Sequence, residues 1–237
     1  MQRSRMGEAF FLGLFIFLGL AALGYLISET TLKVKGMDRT VTVKGLSERE
    51  VPADIAIWPI KFDEAGNDLE QLYADVRRKS DIIVAFLKKQ GFTDAEITVS
   101  QPSITDRLAQ NYGSNIKFRY AASTVVTVYT QRVDTVRAAM KEVVDLGKSG
   151  IALSGQNYDN RTQFLFTGLN ALKPGMIEEA TTNAREVAEK FAKDSDSVLG
   201  KIKTASQGQF SISDRDSSTP YIKKVRVVST VQYYLSD

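Results

Sequence analysis

The residues that most often carry enzyme chemistry are missing from this chain. Its 237 residues include no His and no Cys. The first absence excludes a Ser-His-Asp triad and a histidine zinc site, and the second excludes a thiolate nucleophile and a disulfide. An enzyme would have to use Asp, Glu, Lys or Tyr in a cleft with at least two titratable groups of perturbed pKa. Such an enzyme stays an open alternative, although no catalytic constellation is visible.

Three short motifs resemble ligand-binding sequences without matching them. Gly147-Lys148-Ser149 looks like the end of a phosphate-binding loop, but Glu142 stands where the first glycine belongs. Asp194-Ser195-Asp196 and Asp214-Arg215-Asp216 begin like calcium loops, but both lack the glycine at position six and the closing glutamate. We therefore interpret all three as turns or helix ends. The sequence predicts no metal and no cofactor.

The overall charge gives no sign of a nucleic-acid partner. The chain has 31 Lys and Arg against 28 Asp and Glu, a net charge of +3, with no dense basic stripe. Small basic clusters stand at residues 77–79 and 223–226. Both are interpreted as solvated faces of secondary-structure elements.

The N-terminus carries the strongest signal in the chain. Residues 9–27 contain no charged side chain, and a bilayer core of about 30 Å needs roughly 20 apolar residues in a helix. The pattern predicts a transmembrane anchor in contact with lipid, preceded by a short basic segment, residues 1–8, and followed by a polar linker, residues 28–38. The anchor residues we single out are Ala9, Phe11, Leu14, Phe17, Leu20, Leu23 and Ile27.

Two properties of this segment stay open. Residues 22–24 form a weak signal-cleavage site, but the apolar run exceeds the usual signal core of about 7–15 residues, which favours an uncleaved anchor. Basic residues after the run outnumber Arg3 and Arg5 before it, which by charge alone would keep the rest of the chain in the cytoplasm. Because long domains translocate largely regardless of charge, the residues alone do not decide the side of the membrane.

The rest of the chain, residues 39–237, alternates between strand and helix patterns. Strands are predicted over 40–44, 55–62, 96–100 and 117–129, and Pro59 predicts an edge position or a bulge in the second of them. Trp58, in the same strand, is interpreted as core and only secondarily as a binding anchor. One helix is predicted from a cap at Asn67, with Glu70 three residues later, to Gly91. A second is predicted over 133–146.

The second half repeats this arrangement. Strands are predicted over 151–157, 161–167, 201–212 and 224–235. A helix is predicted over 173–198, with Pro174 in its first turn and an apolar stripe formed by Ile177, Ala180, Ala184, Val187 and Phe191. Within it, Ala180, Ala184, Ala188 and Ala192 form a ridge of small side chains four residues apart, which permits close approach to a sheet or another helix. The resulting class is α+β, with antiparallel sheets packed with three main helices in repeated strand-strand-helix-strand-strand units. Two sub-domains, 39–148 and 149–237, are one expected division.

Several motifs together resemble the SIMPL-domain family, also called the domain of unknown function 541. The resemblance covers about residues 39–235 and rests on the order and spacing of Val41-Thr42-Val43-Lys44-Gly45, Val51-Pro52-Ala53-Asp54, Lys88-Lys89-Gln90-Gly91, Phe118-Arg119-Tyr120-Ala121, Val198-Leu199-Gly200 and the closing Val225 to Tyr233 strand. It implies an exported bacterial α+β domain facing the periplasm or the cell exterior, and we expect here a single-pass inner-membrane protein with its C-terminal domain in the periplasm. The family implies no enzymatic activity and no catalytic residues, and it includes channel-like oligomers and proteins linked to stress tolerance.

Two functional hypotheses follow. The leading one is a non-enzymatic, membrane-anchored envelope protein that self-associates into a ring, cage or channel-like homo-oligomer, in a role in stress defence. Edge strands and the loops 106–115 and 213–220 are the expected contact surfaces, with Tyr112, Asn115, Arg215 and Tyr221 as candidate contact residues. The alternative is a monomeric peptide- or ligand-binding module at the membrane surface. A sheet edge left open for a peptide would favour that alternative.

Overall fold

The computed structural model describes residues 3–36, 39–109, 116–155 and 160–237. Its helices are α1 (Arg3–Gly36), α2 (Leu69–Lys89), α3 (Val133–Glu142), α4 (Val144–Lys148) and α5 (Leu169–Asp194). Its strands are β1 (Thr40–Pro52), β2 (Ile55–Gly66), β3 (Ile97–Val99), β4 (Ser103–Asp106), β5 (Tyr120–Thr130), β6 (Gln163–Leu165), β7 (Val198–Gln207), β8 (Ser211–Asp214) and β9 (Ile222–Ser236). The predicted α+β class with antiparallel sheets and one N-terminal apolar helix is confirmed.

Helix α1 contains the apolar run. The segment Phe10–Thr30 has 21 residues and a mean hydropathy of 2.5, and none of it is buried. A helix of this length and composition fits either a membrane span or a signal sequence. Because α1 continues to Gly36, the segment predicted as a polar linker is mostly helical. At its start, Thr30 Oγ1 donates to the Leu26 carbonyl oxygen at 2.7 Å.

The chain divides into two compact units, which are described separately. Unit 1 comprises Met1–Glu48, Lys173–Phe210 and Arg226–Asp237, and unit 2 comprises Arg49–Leu172 and Ser211–Val225. Each unit is assembled from segments that are distant in the sequence. The boundary suggested after residue 148 falls inside unit 2.

In unit 1, α5 packs on a sheet whose strand order is β1–β9–β7. The core cluster consists of Val43 on β1, Ala184 and Ala188 on α5, and Val231 and Tyr233 on β9. The contact is close because the helix presents a row of four buried alanines, at positions 180, 184, 188 and 192. The predicted alanine ridge is therefore confirmed as the face of α5 that meets the sheet.

The predicted apolar stripe of α5 is wrong at Phe191, which is 55% exposed. The buried row passes through Ala192, and Phe191 precedes it by one position, about 100° around the helix. A bulky side chain at the centre of the row would hold the helix away from the sheet. Small residues therefore decide which side of α5 is buried, and Phe191 is displaced to the flank.

The predicted position of Pro174 in the first turn of α5 is also wrong. The helix begins at Leu169, so Pro174 is its sixth residue and lies inside it. The earlier start has a visible cause, because the Asp54 carboxylate accepts from Thr167 N at 2.8 Å and from Gly168 N at 3.2 Å. A carboxylate at this end also interacts favourably with the helix dipole.

Unit 2 contains a sheet with the order β3–β5–β2–β6, and β4 also pairs with β5. The long β2–β5 ladder joins Ala56–Gly66 to Thr130–Tyr120. Trp58 is 3% exposed and belongs to the core, as predicted. Pro59 lies beyond Ile57, the last β2 residue paired with β6, which explains how a residue without an N–H is accommodated there.

Several local predictions in unit 2 are corrected. The N-cap of α2 is Asp68, whose Oδ1 accepts from Gln71 N at 2.8 Å, whereas Asn67 Oδ1 accepts from Arg119 N at 2.9 Å. The Asn67 side chain is thus bonded to the residue just before β5, and the neighbouring carboxylate caps the helix. The helix predicted over 133–146 is divided into α3 and α4 at Val143.

The strand predictions after residue 100 also change. The segment before residue 106 contains β4, which was not predicted, and the strand predicted over 201–212 is divided into β7 and β8. The strand predicted over 151–157 lies partly outside the described residues, and its described part, 151–155, contains an isolated bridge between Leu153 and Phe62. The strand predicted over 161–167 is reduced to β6. Short strands of this kind depend on their ladder partner more than on their own pattern.

Candidate functional site

The predicted anchor residues are exposed along α1. Phe11, Leu14, Phe17, Leu20, Leu23 and Ile27 are each at least 40% exposed, and the side chain of Ala9 lies outside the described residues. An unburied helix of this length leaves a large apolar surface in contact with its surroundings. Lipid is the environment that such a surface fits.

The predicted contact residue Arg215 has partners within unit 2. Its Nη1 lies 3.3 Å from Glu50 Oε2, and its Nε lies 3.0 Å from Asp216 Oδ2. Asp216 in turn accepts from the backbone N–H groups of Ser218 and Thr219, at 2.8 Å each. Hydrogen bonds from the Thr219 hydroxyl and the Arg215 guanidinium hold the pKa of Asp216 well below its usual range. Arg215 therefore stabilises the loop that contains it.

Tyr221 also packs within unit 2. Its ring meets Phe164 edge to face with 6.1 Å between the centroids, and the Arg137 guanidinium lies 3.6 Å from its centroid. The Tyr221 carbonyl oxygen accepts from Ala53 N at 2.9 Å. These contacts stabilise the loop before β9. The other two predicted contact residues, Tyr112 and Asn115, lie outside the described residues.

A second carboxylate with a strongly lowered pKa is Glu96. The Arg132 guanidinium, with further hydrogen bonds from Thr130 and Thr93, lowers the pKa of Glu96 to about 2. Arg132 Nη2 also donates to the Gly91 carbonyl oxygen at 3.0 Å. The groups that bond to Glu96 all belong to neighbouring turns or strands. The lowered pKa of Glu96 is therefore explained by contacts that hold the fold together. Within the described ranges, no group of three or more Asp or Glu side chains has the arrangement of a metal site.

Of the two edge strands of the unit 1 sheet, β1 and β7, the candidate contact surface is β7. It pairs with β9 on one side and ends the strand order β1–β9–β7. Every residue of β7 except Leu199 is exposed. Gly208 N donates to Val228 O at 2.8 Å, so alternation along the ladder turns the N–H groups of Ala205 and Gln207 away from β9. Backbone donors and acceptors therefore face outward over residues 204–207, whereas the register shifts twice between Leu199 and Thr204.

The apolar face of the sheet continues onto β7 without cover. Ile202 is opposite Tyr233 and Ala205 is opposite Val231, so each pair points to the same side of the sheet. Tyr233 and Val231 are 1% exposed beneath α5, whereas Ile202 is 42% exposed. An exposed edge joined to an uncovered apolar face is the surface that natural sheets usually protect or pair.

The sequence predicted a strand here but not its exposure. The alternation of an apolar residue with lysine predicts a strand, but the same alternation occurs in strands that a helix covers and in strands that it does not. Exposure depends on where α5 ends across the sheet, which is a property of tertiary packing. The β7 edge is therefore a candidate functional surface that only the structure identifies.

Comparison with known proteins gives one match to a family model. A family model described as "SIMPL: Protein of unknown function (DUF541)" matches residues 41–233. A search of curated proteins finds no match. Because the match covers most of the chain, from the second residue of β1 to Tyr233 in β9, this protein belongs to the SIMPL (DUF541) family.

Proposed function

We propose that this chain is a non-enzymatic protein of the bacterial cell envelope, anchored by α1 in the inner membrane with its C-terminal domain in the periplasm. The domain self-associates through β7 into a closed homo-oligomer, and the assembly serves in stress defence. The observation that carries the proposal is the combination in β7 of an unpaired edge and an uncovered apolar face. Pairing with a second copy would satisfy the outward backbone groups and cover Ile202.

The charge of β7 favours a ring over a simple pair. The strand carries Lys201 and Lys203 and no acidic side chain. Two copies of β7 paired with each other would bring lysines of both chains together, and like charges across a ladder are destabilising. A contact between β7 and a different surface of the next copy avoids this repulsion. Repeated contacts of that kind close into a ring when the rotation allows it.

The β7 contact is tested by a charge placed on its uncovered apolar face. Ile202→Lys should convert the detergent-solubilised full-length oligomer to single chains, because the new ammonium group would be buried against the partner. Ser206→Lys is the matched control, since Ser206 is opposite Thr230 on the other face of the same strand. Size-exclusion chromatography with light scattering measures both masses. Equal masses for Ile202→Lys and wild type would contradict a contact on this face.

The proposed orientation is tested by protease protection. Protease added to intact spheroplasts should digest the domain and leave a fragment containing α1, because a periplasmic domain is exposed once the outer membrane is removed. Digestion only after the spheroplasts are lysed would place the domain in the cytoplasm. A soluble cytoplasmic protein that stays intact in the unlysed sample is the control.

A further inference from the structure

A groove in unit 2 lies between α2 and the edge of the sheet formed by β3 and β4. Its volume is about 620 Å³. Helix α2 contributes Tyr73, Arg77 and Asp81, and the sheet side contributes Val99, Pro102 and Thr124. This volume is within the usual range for small-molecule sites, about 300–1,000 Å³. We refer to it as the α2 groove.

The groove exists because the sheet edge is interrupted. Strands β3 and β4 both pair with β5, but the ladder stops at Val99 opposite Val126 and resumes at Ser103 opposite Ser123. Three residues, 100–102, therefore span two residues of β5, which is the arrangement of a bulge. Thr124 lies at this interruption, where the edge leaves space next to α2.

The base of the groove holds a buried hydroxyl with no partner. Thr124 is 1% exposed, and its Oγ1 has no hydrogen-bond partner in the part of the chain that the structure describes. The nearby Ser80 hydroxyl donates to the Val76 carbonyl oxygen at 2.9 Å. Leaving a buried hydroxyl unpaired is unfavourable, and such groups in native proteins usually have a bound partner. The accessible surface of this oxygen is below 1 Å², so a molecule in the groove reaches it once the Thr124 side chain rotates to turn Oγ1 towards the groove.

The rim of the groove presents a guanidinium group. In the basic cluster of α2, Arg78 Nη2 pairs with Asp75 Oδ1 at 2.9 Å and Lys79 pairs with Glu64. Among the described residues, Arg77 has neither an ion pair nor a hydrogen bond, and it lines the groove. A guanidinium group is suited to bidentate binding of a carboxylate. Asp81 on the same rim would repel a second negative charge, so a single carboxylate fits better than two.

The edge itself is poorly suited to an extended peptide. Strand β3 has three residues, and Pro102 just beyond it has no N–H. Binding by strand addition depends on a row of main-chain hydrogen bonds, which this edge offers only briefly. The exposed apolar surface of Tyr73 and Val99, which are 51% and 46% exposed, is nevertheless available to a compact ligand.

We propose that the α2 groove binds a small apolar molecule that carries one carboxylate. The apolar part lies against Tyr73, Val99 and Pro102, the carboxylate pairs with Arg77, and the Thr124 hydroxyl forms a hydrogen bond with a polar atom at the opposite end of the ligand. The site is contained within unit 2. It stands independently of self-association through β7.

The carboxylate is tested with 3-(4-hydroxyphenyl)propionate and its uncharged amide, titrated calorimetrically into the full-length protein in lipid nanodiscs with empty nanodiscs as blank. The wild type should prefer the carboxylate by about three- to fivefold, as expected for a partly exposed ion pair. Arg77→Gln should remove this preference. Arg78→Gln, which breaks the pair with Asp75, should keep it. Absence of binding, or equal effects of the two substitutions, would overturn the proposal.

The hydroxyl is tested with 3-phenylpropionate, which lacks the phenol oxygen of the first probe. The wild type should bind the hydroxylated probe about three- to tenfold more tightly, and Thr124→Val should abolish that difference. The same substitution should leave the melting temperature unchanged or raise it, because it replaces an unpaired hydroxyl by a methyl group. An unchanged preference in Thr124→Val would contradict the assigned pose. Binding of an extended peptide with no dependence on Arg77 would point instead to the β3 edge.

Discussion

Gly45 shows how one residue determines a helix–sheet contact. A Cβ added at this position of β1 would lie 1.8 Å from the Ala180 carbonyl oxygen and 2.5 Å from the Ala184 nitrogen. Both are backbone atoms of α5, so no side-chain rotation can relieve the overlap. The glycine is required by the closeness of strand and helix.

We therefore expect Gly45→Ala to lower the free energy of unfolding by about 1–3 kcal/mol, or more if α5 detaches, which is the range for overpacking. Urea denaturation followed by circular dichroism measures the change. Gly147→Ala is the control, because no atom lies within 4 Å of an added Cβ there and alanine favours the helix. A Gly45→Ala variant as stable as wild type would show that α5 packs less closely on β1.

Glu96 is the residue at which stability should depend on acidity. Its pKa is lowered from 4.5 to about 2, chiefly by the Arg132 guanidinium. Because the folded state holds the charged form, the contribution of Glu96 is complete above pH 4.5 and is lost as the pH falls from 4.5 towards 2. Acid should therefore weaken the turn between α2 and β3.

Glu96→Gln should lower the free energy of unfolding by about 1–3 kcal/mol near neutral pH, the range for hydrogen bonds to a charged group. The difference from wild type should shrink as the pH approaches 2. Asp94→Asn is the control on the same turn, since the Asp94 side chain is 82% exposed. Urea denaturation across this pH range gives the comparison. A constant difference at all pH values would mean that ionisation of Glu96 does not stabilise the fold.

At the scale of the element, the start of α5 depends on a side chain from a distant segment. The Asp54 carboxylate accepts from the Thr167 and Gly168 backbone N–H groups and from the Thr167 hydroxyl, at 2.8–3.2 Å. Asp54 follows β1 and precedes β2, whereas the helix begins more than one hundred positions later at Leu169. The carboxylate thus ties the beginning of a helix to a strand connection.

Asp54→Asn should destabilise the fold by about 1–3 kcal/mol, because the amide nitrogen cannot accept the hydrogen bonds that the second carboxylate oxygen receives. Thr167→Val should have a smaller effect, since it removes the hydroxyl contact and keeps the backbone donors. Thermal unfolding and hydrogen exchange at residues 167–172 report on the global and the local change. Faster exchange in Thr167→Val than in Asp54→Asn would contradict the assigned cap.

The predictable elements are those whose sequence pattern depends on residues only a few helical turns apart. The alanine row of α5 and the uncharged run of α1 are visible in the sequence; the first is a buried helix face in the structure, and the second is an unburied apolar helix. Predictions at Asn67 and Pro174 failed because the deciding partners, Arg119 and Asp54, are distant in sequence. The exposure of β7 was unpredictable for a related reason, since it depends on which strands α5 covers.

At the scale of the whole molecule, the contacts of the candidate contact residues also depend on segments that are distant in sequence. Arg215 and Tyr221 look like exposed loop residues in the sequence, yet they pack against Glu50, Arg137 and Phe164 from other segments. The family was recognisable because it rests on the order of many short motifs. A contact surface rests on the arrangement of a few residues in space, and our proposal therefore assigns self-association to β7.

Self-association is tested most directly by the masses of two proteins measured by light scattering. One is the detergent-solubilised full-length chain, whose single-chain mass is 26.3 kDa, and the other is a variant lacking residues 1–36, which removes α1. If β7 joins the copies, both proteins should form discrete oligomers with the same number of chains. Single chains in both samples would contradict self-association. Single chains in the shortened variant alone would show that α1, and not β7, holds the assembly together.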